Sequence, residues 1–243
     1  MLRNLFFVCL AAFALSCNND KNGSTKHHNA ICTDQSGCNV EVVDSAWYHS
    51  GKKAPLFSGL SGLHYPITTK NAEAQKYFDQ GLLLAFGFNH AEAARSFYEG
   101  TKLDSTCAMC WWGYAYVLGP NYNAGMEKDN FIRAFNAVEE AVRLSGDCTR
   151  KEQQLIKALW HRHSADTSAE RAKLDASYAD AMREVYKMFP DDATIASIFA
   201  ESIMDMHPWQ LWNKDGTPQS FTPEIITVLE KALKQEPKHI GAN

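Results

Sequence analysis

Beyond its first residues the chain has no apolar run approaching the roughly 20 residues needed to cross a bilayer. An excess of basic residues is missing too. Twenty-four Lys and Arg stand against 28 Asp and Glu, and the net charge of −4 argues against a nucleic-acid partner, which calls for a basic face. No two histidines have the i, i+4 spacing of a helical metal site. The single C-x-x-C, Cys107-Ala108-Met109-Cys110, is followed by Trp111 and not by the histidine of a c-type haem attachment site. It has no second C-x-x-C to complete a zinc site, and strand signals are too few for a thioredoxin-like βαβ setting. These absences leave no catalytic constellation, and neither metal nor cofactor is expected. The bland reading of Cys107 and Cys110 is a structural pair at a turn between helices, oxidised or not.

The N-terminus carries an address. Arg3 precedes an apolar run over residues 5–15, which stops at Ser16-Cys17 and gives way to Asn18-Asn19-Asp20. A charged start, a short apolar core and small residues before the cut describe a secretory signal. The stretch Phe13-Ala14-Leu15-Ser16-Cys17 resembles a bacterial lipoprotein box, with Ala14 departing from the usual leucine. It implies cleavage before Cys17, lipidation of that cysteine and anchoring by its acyl chains alone. An ordinary signal peptide with an incidental cysteine is the alternative. Asn18 after Cys17 favours the outer membrane of a cell envelope. In that oxidising setting Cys32 and Cys38, flanking a polar loop, make a plausible disulfide.

The chain divides into a signal at 1–16, a polar tether at 17–45, an ordered lead-in at 46–70 and a helical domain at 71–243. Asn71 begins a helix that Gly87 ends. Asn89 with Glu92 has capping-box spacing and opens a helix to Leu103. The next helix runs from Ala108 to Leu118 and is cut by Gly119-Pro120. Another covers about 128–144, with Ala134, Val138 and Ala141 on its packing face. Thr149 and Glu152 form a second capping box, for a helix to about His163. Further helices end at Phe189-Pro190, run from Asp192 to Met204, and begin with Thr222 as cap and Pro223 as first residue.

Within this series Tyr77, Gly81, Leu84, Ala93 and Phe97 follow the spacing of a 34-residue helical hairpin, and Trp111, Tyr114, Ala115 and Leu118 open the next. Tyr178, Met182, Val185 and Pro190 repeat the second-helix spacing, as do Ile225, Leu229, Ala232 and Pro237. The pattern resembles the tetratricopeptide repeat, so the expected fold is all-α, stacked antiparallel hairpins in a solenoid. Longer motifs sharpen the resemblance. Residues 88–97, 107–113, 119–123, 206–209 and 237–243 resemble a family of bacterial exported tetratricopeptide-repeat proteins, over about residues 56–243. That resemblance implies an α-solenoid and no assigned reaction or ligand. Relatives continue past Gly241-Ala242-Asn243, so the chain looks C-terminally incomplete.

Two loops interrupt the repeat, 119–125 and 207–212. Asn121, Tyr122, Asn123, His207, Trp209 and Trp212 supply the aromatic and amide mixture of a binding pocket, to which His90 is a possible addition. Packing of the tryptophans between hairpins is the alternative. The expected function is a lipid-anchored envelope scaffold that binds a protein or peptide and catalyses nothing. The rival expectation is a small-ligand or metal-binding envelope protein, or a hydrolytic one, whose site lies at these loops and His90 and is completed beyond Asn243.

Overall fold

A computed structural model of the protein describes residues 45–60 and 62–243. Within them the chain is all-helical, with α1 Ser45–His49, α2 Ala72–Phe86, α3 His90–Leu103, α4 Ala108–Leu118 and α5 Asn130–Leu144. After a 3-10 turn at Ser145–Asp147 come α6 Arg150–Trp160, α7 Arg171–Met188, α8 Ala193–Asp205 and α9 Thr222–Gln235. Extended pairing among the described residues is limited to two isolated bridges, Asn121 with Ala124 and Trp212 with Pro218.

Local chemistry explains most helix starts. The Asn71 side chain accepts from the Glu73 and Ala74 amides, satisfying two of the donors that a helix start leaves free. Asp192 does the same for the Ile195 amide at 3.0 Å. Thr149 and Glu152 form the full reciprocal box. Glu152 reaches further: its carboxylate also accepts from the amide and hydroxyl of Thr68, at 2.5 and 2.7 Å, tying the lead-in to α6.

The box expected at Asn89 forms only in half. Its side chain accepts from the Glu92 amide, but the Asn89 N–H already donates to the Leu84 carbonyl at 2.9 Å, and Glu92 pairs with Arg95 instead. Thr222 is not a cap either. It is the first residue of α9, and its hydroxyl donates to the Leu211 carbonyl at 2.5 Å, closing the loop before the helix. Helix α6 stops at Trp160, three residues before the expected His163, and the turn that follows directs Arg162 into the protein.

Each helix from α2 to α9 packs on the next in sequence, and α4 also touches α2 and α6. Helix α4 is apolar nearly all round and almost wholly buried, as a central helix must be. Phe97 on α3 fixes how closely its neighbours approach. A Cβ on Gly81 of α2 would lie 2.8 Å from its ring, and one on Gly113 of α4 would lie 2.3 Å away. Only glycine leaves room for that ring at either position.

The lead-in lies along α2, which supplies its polar partners. The Tyr77 hydroxyl donates to the Ala54 carbonyl at 2.6 Å, Gln80 accepts from the Phe57 amide at 2.8 Å, and Asp79 accepts from that of Tyr65 at 3.0 Å. These side chains replace the regular ladder that an extended segment lacks.

Candidate functional site

The turn after α6 places a charged residue where the sequence suggested only a helix end. Arg162 is fully buried. Its guanidinium donates to Asp205 at 2.6 Å, to the Pro120 carbonyl at 2.9 Å and to Asp175 at 3.4 Å. It also lies 4.7 Å from the centre of the Tyr178 ring. Arg171 grips Asp175 from the other side at 3.1 Å and donates to the Arg162 carbonyl. Burial works against the Arg162 charge, but Asp205, Tyr178 and Asp175 outweigh it and hold its pKa above the ordinary guanidinium value.

This one side chain ties together both interrupting loops. Pro120 opens the first, and Asp205 is the last residue of α8, just before the second. The tie brings Tyr122 and Trp209 into ring contact, with centroids 5.2 Å apart. Trp209 is nevertheless 73% exposed, and Trp212 is 54% exposed, so neither is core filler between helices. Trp112 is the buried one, its indole donating to the Leu155 carbonyl at 3.1 Å. Trp111 lies at the α4 start and donates to the Ser105 carbonyl at 3.3 Å.

Tyr122 lines a cavity of about 290 Å³. Around it stand Phe86 at the end of α2, Phe88 in the turn that follows, Glu201 and Met204 from α8, Leu229 from α9 and residues 240–243. Phe88 and Trp209 are the described non-glycine residues with positive φ, at 57° and 61°. Bulky side chains at such angles are held there against a steric penalty; Phe88 lines the cavity and Trp209 meets the Tyr122 ring that does. Glu201 is the one ionisable side chain of the lining other than the Tyr122 phenol. It accepts a hydrogen bond from Tyr116, and burial raises its pKa against the pull of that bond and of Arg162. Burial likewise pushes Asp205 well above the carboxylate range, and its second oxygen has no hydrogen-bond partner.

The other expected site residues are distributed differently. Asn121 is buried and structural: its carboxamide oxygen accepts from the amides of Asn123 and Ala124, at 2.9 and 3.1 Å, and shapes the loop. Asn123 is exposed, and Trp212 lies across its own loop from Pro218. His207 stacks flat on Phe221, with centroids 3.7 Å apart, and burial lowers its pKa. His90 is buried beside Phe88, with neither ring nitrogen hydrogen-bonded. None of these five lines the cavity. Among the described residues no group of three or more His, Cys, Asp or Glu is placed to hold a metal.

Cys107 caps α4, its sulfur accepting from the Cys110 amide at 3.3 Å. Both are buried free thiols. The hydrogen bond between them holds Cys107 below its ordinary pKa, and the same contact with burial raises Cys110 well above it. Cys17, Cys32 and Cys38, with the signal and most of the tether, lie outside the described residues.

The sequence alone does not mark Arg162 or Glu201. A basic residue between two histidines near a helix end reads as a surface group, and a glutamate in Ala200-Glu201-Ser202 as a solvated face. No helix among the described residues is long and apolar enough to cross a membrane. Comparison of the chain with protein-family models, curated proteins and solved structures finds no match.

Proposed function

We propose that this chain is a tetratricopeptide-like helical-repeat scaffold, akin to bacterial exported repeat proteins, that binds a peptide or protein partner at the cell envelope and carries out no reaction itself. Lipid on Cys17, in the outer membrane, would hold it there. The all-α architecture supports this, with each helix packed on its sequence neighbour and α4 reaching α2 and α6, as does the hairpin spacing of Tyr77, Gly81, Ala93 and Phe97. One observation carries the binding part: a largely apolar cavity lined by residues of α2, α8, α9 and 240–243 and by Tyr122, whose ring meets Trp209 of the other interrupting loop. Scaffolds of this kind bind by shape and exposed anchors.

Photo-crosslinking in the native host tests the reading. Benzoylphenylalanine in place of Tyr122 should give discrete adducts, whereas the same group at the exposed Ala176 on α7 should give none. Adducts of equal yield from both positions, or from neither, would remove this cavity as the binding surface. Palmitate-analogue labelling of the same cells checks the anchor, and it should vanish in Cys17→Ala.

A further inference from the structure

Carboxyl groups outnumber guanidiniums beneath the cavity. Arg162 and Arg171 supply two guanidiniums, and the carboxyls that interact with them and with one another are three: Asp175, Asp205 and Glu201. Asp175 lies against both arginines, and Asp205 has the 2.6 Å contact to Arg162. Glu201 is left over. Its hydrogen bond comes from the neutral hydroxyl of Tyr116, and it is the carboxyl that lines the cavity.

The rest of the wall is mostly aromatic or aliphatic, with Ser197 and Asn243 as its other polar side chains. Phe86, Phe88 and Tyr122 contribute aromatic rings to the lining, and Met204 and Leu229 contribute flexible apolar side chains. Surroundings of this kind suit a cation on an apolar chain: the rings attract the positive charge, the aliphatic groups cover the methylenes and the carboxylate neutralises the head. Size points the same way. At about 290 Å³ the cavity lies at or below the lower edge of small-molecule pockets, roughly 300–1,000 Å³, which fits one side chain better than a whole metabolite.

Another cavity, about 900 Å³ and lined in part by residues 62–66 and 236–239, differs in its carboxylates: Glu236 is exposed to solvent and the two aspartates are paired. Its Asp192 is paired with Lys151 at 2.8 Å and bonded by Tyr65, and its Asp191 is paired with Lys231 at 3.1 Å.

We infer that the cavity at Glu201 receives a lysine side chain of the bound partner, with Glu201 as the counter-charge and Phe86, Phe88 and Tyr122 around the stem. The inference rests on the peptide-binding reading and gives it a specificity.

Calorimetric titration at pH 7.5 tests it with three probes: acetyl-Ala-Ala-Lys-Ala-Ala-amide, the same peptide with norleucine for lysine, and n-butylammonium. The lysine peptide should bind at least about tenfold more tightly than the norleucine peptide, the gain of one well-placed charge-assisted contact. Glu201→Gln keeps an acceptor for Tyr116 and should erase that preference while leaving the norleucine affinity within about twofold. Tyr122→Leu should weaken both peptides. Equal affinities for the two peptides in the wild-type chain would overturn the lysine inference and leave peptide binding standing. Binding of butylammonium that Glu201→Gln abolishes, without binding of either peptide, would uphold the cation site and overturn the peptide reading. Binding of none of the three would overturn both.

Discussion

Replacing Arg162 with methionine should destabilise the folded chain by about 3–5 kcal/mol, the usual consequence of leaving buried charges without their partner. Three contacts are lost at once: Asp205 at 2.6 Å, Asp175 at 3.4 Å and the Pro120 carbonyl at 2.9 Å. Their oxygens lie in buried surroundings from which water cannot replace the guanidinium. For a domain of this size that corresponds to a fall in Tm on the order of 10 °C. Urea unfolding followed by tryptophan fluorescence measures it. Adding Asp205→Leu to Arg162→Met should recover part of the loss, because an apolar pair does not strand a charge. A loss below about 1 kcal/mol in the single variant would mean that Arg162 is solvated and does not tie the loops together.

A comparably large effect is expected on acidification. Burial, with a smaller contribution from Arg162, lowers the pKa of His90 to about 4. Its ring nitrogens have no partner that could take up a proton's charge. In the unfolded chain His90 protonates near its ordinary pKa of about 6.5, while in the folded chain it stays neutral until about pH 4. The unfolded state therefore binds the extra proton across this window. Stability present above pH 6.5 is lost as the pH falls towards 4, by about 3 kcal/mol in all. His163, lowered further by burial and by Arg162 and Arg171, acts in the same direction. Glu201 and Asp205 have raised values and act in the opposite one.

Comparing the wild-type chain with His90→Phe cancels these shared contributions. The two should differ little at pH 7.5, and the variant should be the more stable by about 2–3 kcal/mol near pH 4.5. Parallel loss of stability in the two chains would show that His90 titrates normally.

How far the sequence exposes this structure depends on the range of each interaction. The starts at Asn71, Asn89, Thr149 and Asp192 are legible because a cap acts over two or three residues. The stop at Leu118 is legible from Gly119-Pro120 for the same reason. The half-formed box at Asn89 shows the limit, since spacing alone does not reveal that the Asn89 amide is already bonded to Leu84.

The candidate site is built from distant partners. Arg162 meets Pro120 and Asp205 across 42 and 43 residues, and Tyr116 meets Glu201 across 85. No local pattern marks such contacts. The two aromatic loops could be picked out because they interrupt a period. Which of their residues face the cavity could not, and Tyr122 does while Asn123 and Trp212 do not.

The proposed binding places a partner's lysine beside Glu201 on the helical scaffold. Intermolecular NOEs in the complex with acetyl-Ala-Ala-Lys-Ala-Ala-amide address it most directly, because they report where the lysine lies. The expected result is NOEs from the lysine ε-methylene to the Met204 methyl and to the rings of Phe88 and Tyr122. Contacts instead to His64, Tyr65 and His239, which line the larger cavity, would contradict it.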